Sequence, residues 1–185
     1  MKTRIIKSIL TIVLIITVFQ LSAQKYLTKN GHIRFFSETP IETIEADNRQ
    51  VNAALDVLSG DLVFKALMKS FQFEKALMQE HFNENYVESH KFPNSVFQGR
   101  ITNIEQFDIN NPGTFDALIE GELNLHGVTQ QISEKGTLTV EGDMIMGYSK
   151  FNIKPADYDI KIPRAVMNNI AEVIEVTVEV ELNKL

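Results

Sequence analysis

Hydrophobic and polar residues alternate along most of this chain. The clearest stretch is C-terminal, where Ile174, Val176, Val178, Val180 and Leu182 interleave with Glu175, Thr177, Glu179 and Glu181. A period of two is that of a β-strand with one buried face. Val51, Ala53, Leu55 and Val57 repeat it against Gln50, Asn52, Ala54 and Asp56, as do Ile119, Gly121, Leu123 and Leu125 against Glu120, Glu122, Asn124 and His126. Turn-forming residues divide the runs: Ser59-Gly60-Asp61, Asn110-Asn111-Pro112-Gly113, His126-Gly127 and Glu141-Gly142-Asp143. Together they predict about eight strands, at 31–37, 50–58, 61–69, 95–108, 114–126, 129–141, 144–153 and 172–184. Nearly all the links are short and hairpin-like, so the pairing should be antiparallel. The 114–126 run would extend about 43 Å, more than twice the usual strand. Long strands with one apolar face roll up, because a flat sheet leaves that face wet and its edges open. The expected fold is therefore all-β, an extended eight-stranded antiparallel barrel wide enough to hold one small ligand. A two-sheet sandwich is the alternative.

The segment Phe71–Ile101 interrupts the pattern. From Phe71 to Phe82 the period is helical: Phe73, Leu77, Met78 and Phe82 fall on one side, with Glu74, Lys75, Gln79 and Glu80 largely opposite. Ser70 is placed to cap this helix, Glu74 suits its N-terminal dipole, and Asn83 and Asn85 suit its exit. A helix this short is marginal alone in water. It must dock its apolar face on the sheet, which makes it a short helical segment capping the barrel.

Residues 1–23 read as a signal peptide. Lys2, Arg4 and Lys7 precede an apolar run from Ile9 to Phe19, and Leu21-Ser22-Ala23 resembles a cleavage site. The run is too short for the ~20 residues that a membrane-spanning helix needs. Export is thus expected, to the periplasm foremost and otherwise to the medium, with no permanent membrane anchor. The chain has no cysteine, which excludes disulfide staples, thiol catalysis and a cysteine-borne lipid anchor. Residues 24–185 are of single-domain length, long enough to bury about 70% of their unfolded surface. They keep 15 of the 18 basic residues against all 24 acidic ones, a net charge of −9. Such acidity argues against nucleic acid as a partner and against electrostatic docking on anionic lipid.

Taken together, the leader, the segment LMQEHFNENYVESHKFPNSVFQGRI, the strand-turn GELNLHGVTQ and the run FNIKPADYDIKIP before a Val-rich strand resemble the YceI-like family of exported lipid-binding proteins. The resemblance covers about residues 31–183, so 24–185 would be one YceI-like barrel domain. It implies a lipocalin-like shape and a long apolar cavity that holds a polyisoprenoid chain.

Candidate cavity residues are Phe35, Phe64, Met68, Phe71, Phe73, Leu77, Met78, Phe82, Phe97 and Phe151, since Phe and Met repack readily around a flexible apolar guest. A filled core is the competing reading for each of them. Tyr86, Asn85, Arg164 and Lys161 are candidates for a polar rim at the mouth. Glu134 departs from the pattern: it shares a parity with Ile132, Gly136, Leu138 and Val140. A β-bulge that re-phases the strand is the favoured explanation; otherwise Glu134 is a polar handle inside the cavity.

Catalytic signals are weak. His32, His81, His90 and His126 show no metal-binding spacing, and Asp157-Tyr158-Asp159 reads as a solvated loop pair. Gly147-Tyr148-Ser149-Lys150 lacks the second glycine of a nucleophile elbow, and neither a P-loop nor a dinucleotide fingerprint occurs. The expected function is thus what the resemblance implies, a carrier or sequestering protein for a long-chain lipid such as a polyisoprenoid, with no enzyme activity, cofactor or metal. An enzyme acting on an apolar or quinone-like substrate, and a solid-core interaction barrel, are the alternatives. The oligomeric state is left open.

Overall fold

The computed structural model describes residues 24–185. The expected signal peptide, residues 1–23, lies outside the described residues. Nine strands form among them: β1 (Lys25–Glu38), β2 (Thr43–Asp56), β3 (Asp61–Leu67), β4 (Gln72–Phe73), β5 (Asn94–Ile101), β6 (Gly113–Leu125), β7 (Val128–Glu141), β8 (Met144–Ile153) and β9 (Ile174–Lys184). One helix, α1 (Ala76–His81), continues into a π-helical turn over Phe82–Tyr86.

Eight of the strands pair in the order β1-β9-β8-β7-β6-β5-β3-β2, and β2 pairs back with β1. Every pairing is antiparallel. The sheet therefore closes on itself, and the sandwich alternative falls away. Alternation decides which face turns inward. In β9, Ile174, Val176, Val180 and Leu182 are buried while Glu179 and Glu181 are exposed.

Closure demands close approaches that only glycine permits. Gly99 and Gly121 face each other across β5 and β6. A methyl group on Gly99 would come within 2.8 Å of Gly121 Cα and 2.6 Å of Phe97 Cζ. The Phe97 ring therefore lies over the glycine pair and takes the space that two side chains would fill.

Several boundaries differ from expectation. The run 95–108 is a strand only to Ile101, after which Ile104–Gln106 form a 3-10 turn. Ile104, Phe107 and Ile109 fold over the barrel end and join the core there, so apolar burial overrides strand continuation. The helix expected from Phe71 starts at Ala76. β3 pairs with β2 only over Val51–Leu55, which leaves the backbone of Ala46 and Asp47 to pair with Phe73 and Gln72 of β4. Covering that stretch of open strand outweighs the helical preference of two residues.

Following each strand from its partner shows two unlike barrel ends. At one lie the β2–β3 and β7–β8 turns, the 102–112 link and the C-terminus of β9. Its core is aliphatic and tight, with Leu55, Ile145, Leu182 and Ile101 at most 2% exposed. At the other end lie the 68–93 segment carrying α1, the His126-Gly127 turn and the long 154–173 connection. A second core cluster there gathers Met68, Phe71, Val87, Leu125, Tyr158 and Ile160.

Candidate functional site: an apolar cavity under an aromatic cap

Between the two clusters the barrel holds a cavity of about 350 Å³, within the ~300–1,000 Å³ of small-molecule sites. The inward positions of the long strands wall it: Ile119 and Leu123 from β6, Ile132 and Leu138 from β7, Val176 and Val178 from β9. Because strand parity places aliphatic side chains there, the wall is overwhelmingly apolar.

Of the ten residues expected to line the cavity, nine do so. Phe64 and Phe97 sit opposite each other on β3 and β5, ring centroids 6.4 Å apart. Phe151 lines it from β8, and Met68 from the turn that follows β3. Phe35, Phe71, Phe73 and Phe82 form one aromatic cluster. Phe35, on the β1 wall, lies 5.5 Å from Phe71, 5.6 Å from Phe73 and 5.5 Å from Phe82, and Phe73 lies 5.1 Å from Phe82. The pairs are tilted or edge-on except Phe35–Phe82, which is stacked. The cluster ties the cap to the wall. Met78 completes the cap's inner face.

Leu77 is the exception. It is 61% exposed and takes no part in the cavity wall. The helix that starts at Ala76 is only six residues long, so its inner face passes through Met78, His81 and Phe82 and turns Leu77 to solvent.

The polar rim also differs from expectation. Tyr86 lines the cavity, but Asn85, Arg164 and Lys161 are exposed and stand outside it. Ser37, Glu42, His81 and Asn169 are at the mouth instead. Glu42 accepts from Lys75 Nζ at 3.1 Å and from Asn169 Nδ2 at 3.0 Å, joining the β1–β2 link to the helical segment and to the 154–173 connection. The Asn169 hydrogen bond, then that of Lys75, holds the Glu42 carboxyl below its ordinary value. No local sequence pattern marks this contact, because its three partners are far apart in the chain.

A second tie lies under the cap. His126 and Gly127 form the two-residue β6–β7 turn, both at positive φ (52° and 76°), as a type I′ turn requires. The His126 side chain is 9% exposed. It donates from Nδ1 to the Tyr158 carbonyl at 3.0 Å, and its Nε2 faces the Glu88 carboxylate at 3.1 Å. Phe92 packs edge-on against the ring, centroids 4.6 Å apart. Glu88 also pairs with Lys91, and the hydrogen bonds from Lys91 and then His126 hold its carboxyl low. His126 thus joins the end of the cap segment to the 154–173 connection.

Glu134 lines the cavity. β7 pairs with β6 without interruption from Gly113–Val140 to Leu125–Val128, with Glu134 opposite Ile119. No bulge re-phases the strand, so the favoured expectation is corrected: register turns this carboxylate inward. Burial raises its pKa. Burial first, then the charges on Asp157 and Glu134, also raises that of Tyr158.

Among the described residues no group of three or more His, Cys, Asp or Glu is placed to hold a metal ion, and no helix is long and apolar enough to cross a membrane.

Known proteins share this architecture. A polyisoprenoid binding domain from Saccharophagus degradans superposes with a TM-score of 0.77 at 13% identity, over 89% of this chain and 100% of that one. Burkholderia cenocepacia BcnA does so with a TM-score of 0.65 at 9% identity, over 83% and 96%. A Campylobacter jejuni YceI protein gives 0.59 at 17% identity, over 75% and 83%. No curated protein sequence matches the chain. The sequence model of the YceI-like domain matches residues 23–182, which is essentially the whole barrel, and the chain therefore belongs to the YceI-like family.

Proposed function

We propose that this protein is an exported carrier or sequestering protein that holds a long apolar lipid, polyisoprenoid in kind, inside its barrel. The observation that carries the reading is the cavity: a closed barrel whose interior, between two buried clusters, is walled by aliphatic and aromatic side chains. Burial of each ligand methylene contributes about 0.8 kcal/mol, so desolvation alone can supply tight binding. The aromatic cap closes one end over the guest. The polyisoprenoid binding domain of Saccharophagus degradans, which has the same fold, supports the choice of lipid class. The basic start, apolar run and small-residue site within residues 1–23 support export, to the periplasm in the first instance.

Native mass spectrometry of the purified protein, with organic extraction of any bound lipid, tests the reading. The expected result is a mass increment that extraction removes and that added isoprenoid restores. Preparations that carry no lipid and take up none would overturn it in favour of a solid-core barrel.

A further inference from the structure

We propose that Glu134 is the head-group anchor of the cavity, selecting apolar chains that bear a hydrogen-bond donor, a hydroxyl or an amine, over plain hydrocarbons. The inference deepens the carrier reading and rests on it. Three observations carry it. The uninterrupted β6–β7 register points the side chain into the cavity, opposite Ile119 and in line with Ile132 and Leu138. The position is also where the wall changes character. β7 pairs with β8 only from Gly136–Ser149 onward, and the gap beyond is covered by the Pro155–Tyr158 turn, fastened through Gln130 Nε2 to the Asp157 carbonyl at 2.8 Å.

The third observation is what the neighbouring polar groups do. Ser95 donates to the Asn124 carbonyl, Ser149 donates to the Lys135 carbonyl, Ser37 accepts from the Ala171 amide, and Glu42 is held by Lys75 and Asn169. Each is committed to the protein itself. Among the described residues the Glu134 carboxylate makes no hydrogen bond; burial raises its pKa, and its charge is felt by the neighbouring Tyr158. The Glu134 oxygens are not among the sealed-off side-chain atoms that lack a partner, so they stay open to a molecule that enters the cavity. A packing role would be served better by Leu. A ligand hydroxyl or ammonium placed beside Glu134 gives the carboxylate a partner inside the cavity, and a hydrocarbon does not.

Three probes of equal chain length test this: farnesol, farnesylamine and the hydrocarbon farnesene, titrated into the full barrel. The wild type should bind the alcohol and the amine about tenfold more tightly than the hydrocarbon, the range expected for a hydrogen bond to a charged group. Glu134→Leu should bind all three alike while unfolding at the same or a higher temperature. Glu134→Gln should keep the alcohol preference and lose that for the amine. Equal wild-type affinities, or an unchanged preference in Glu134→Leu, would overturn the anchor and leave the carrier reading standing. Binding of none of the three would remove both.

Discussion

The two ends of this barrel face the same problem and meet it differently. At the end built from the β2–β3 and β7–β8 turns, the strands close over their own side chains: Leu55 and Ile145 are wholly buried and Leu182 nearly so. At the other end a separate segment, residues 68–93, lays the rings of Phe71, Phe73 and Phe82 across the opening against Phe35 of β1. Its ends are anchored by buried Met68, Phe71 and Val87 and by the β4–β2 pairing, and polar contacts through Glu42, Glu88 and His126 fasten the helical part between them. An interdigitated aliphatic core opens only when the strands part. A helical segment with polar ties can lift while the barrel stays paired. The carrier role proposed above calls for one end of each kind.

Mutating each end should show the contrast. Leu182→Ala leaves a cavity in the tight end and should cost about 2–5 kcal/mol, read from denaturant unfolding. Phe82→Ala removes a half-buried ring with three aromatic neighbours. It should cost about 2 kcal/mol, below the ~3–5 of a fully buried Phe, yet release bound lipid much faster. Leu77→Ser, on the exposed side of the same segment, is its control and should stay within ~0.5 kcal/mol with an unchanged release rate. Should Phe82→Ala destabilise as much as Leu182→Ala and leave release untouched, the two ends are one core and the contrast fails.

Acid should distinguish the ends more gently. Glu42 and Glu88 both have folded-state pKa values below their ordinary 4.5. Their stabilising contribution is therefore complete above that pH and is lost as pH falls through the lowered values. Glu42 faces Lys75 and Asn169, and Glu88 faces Lys91 and His126, so both losses weaken ties of the capped end. Lipid release should accelerate below about pH 4.5 while barrel circular dichroism is unchanged. Glu42→Gln combined with Glu88→Gln should reproduce part of that acceleration at neutral pH. Simultaneous loss of the strand signal and the lipid would place the weakness in the whole barrel.

Much of this was legible from residue order alone. Alternation located the 144–153 strand at its observed bounds and most others within a few residues, because in a barrel each strand carries its own record of inside and outside. The positions it missed depend on partners elsewhere. The strand over 95–108 stops at Ile101 because Ile104 and Phe107 have a barrel end to cover. Residues 72–73 are strand because β3 ends early and leaves part of β2 unpaired. Leu77 fell outside the site for a related reason, since a shift in helix start rotates every side chain after it. Residue type alone marked Phe35, Phe64, Phe97 and Phe151, which line the cavity, and helical spacing added Phe73 and Phe82.

Glu134 marks the limit of sequence reading. Parity put it inside, chemistry argued that a carboxylate there needed a bulge to turn it out, and both arguments are local. Only the continuous pairing of β7 with β6 decides between them, because register is a property of two strands at once. By itself the sequence determined an apolar-lined antiparallel barrel with an aromatic-rich cap, since periodicity and residue type are carried by each segment alone. The tertiary structure decided which end is tight and which is tied, where the polar ties fall, and that one unpaired carboxylate faces the cavity, because each of these depends on groups brought together from distant parts of the chain.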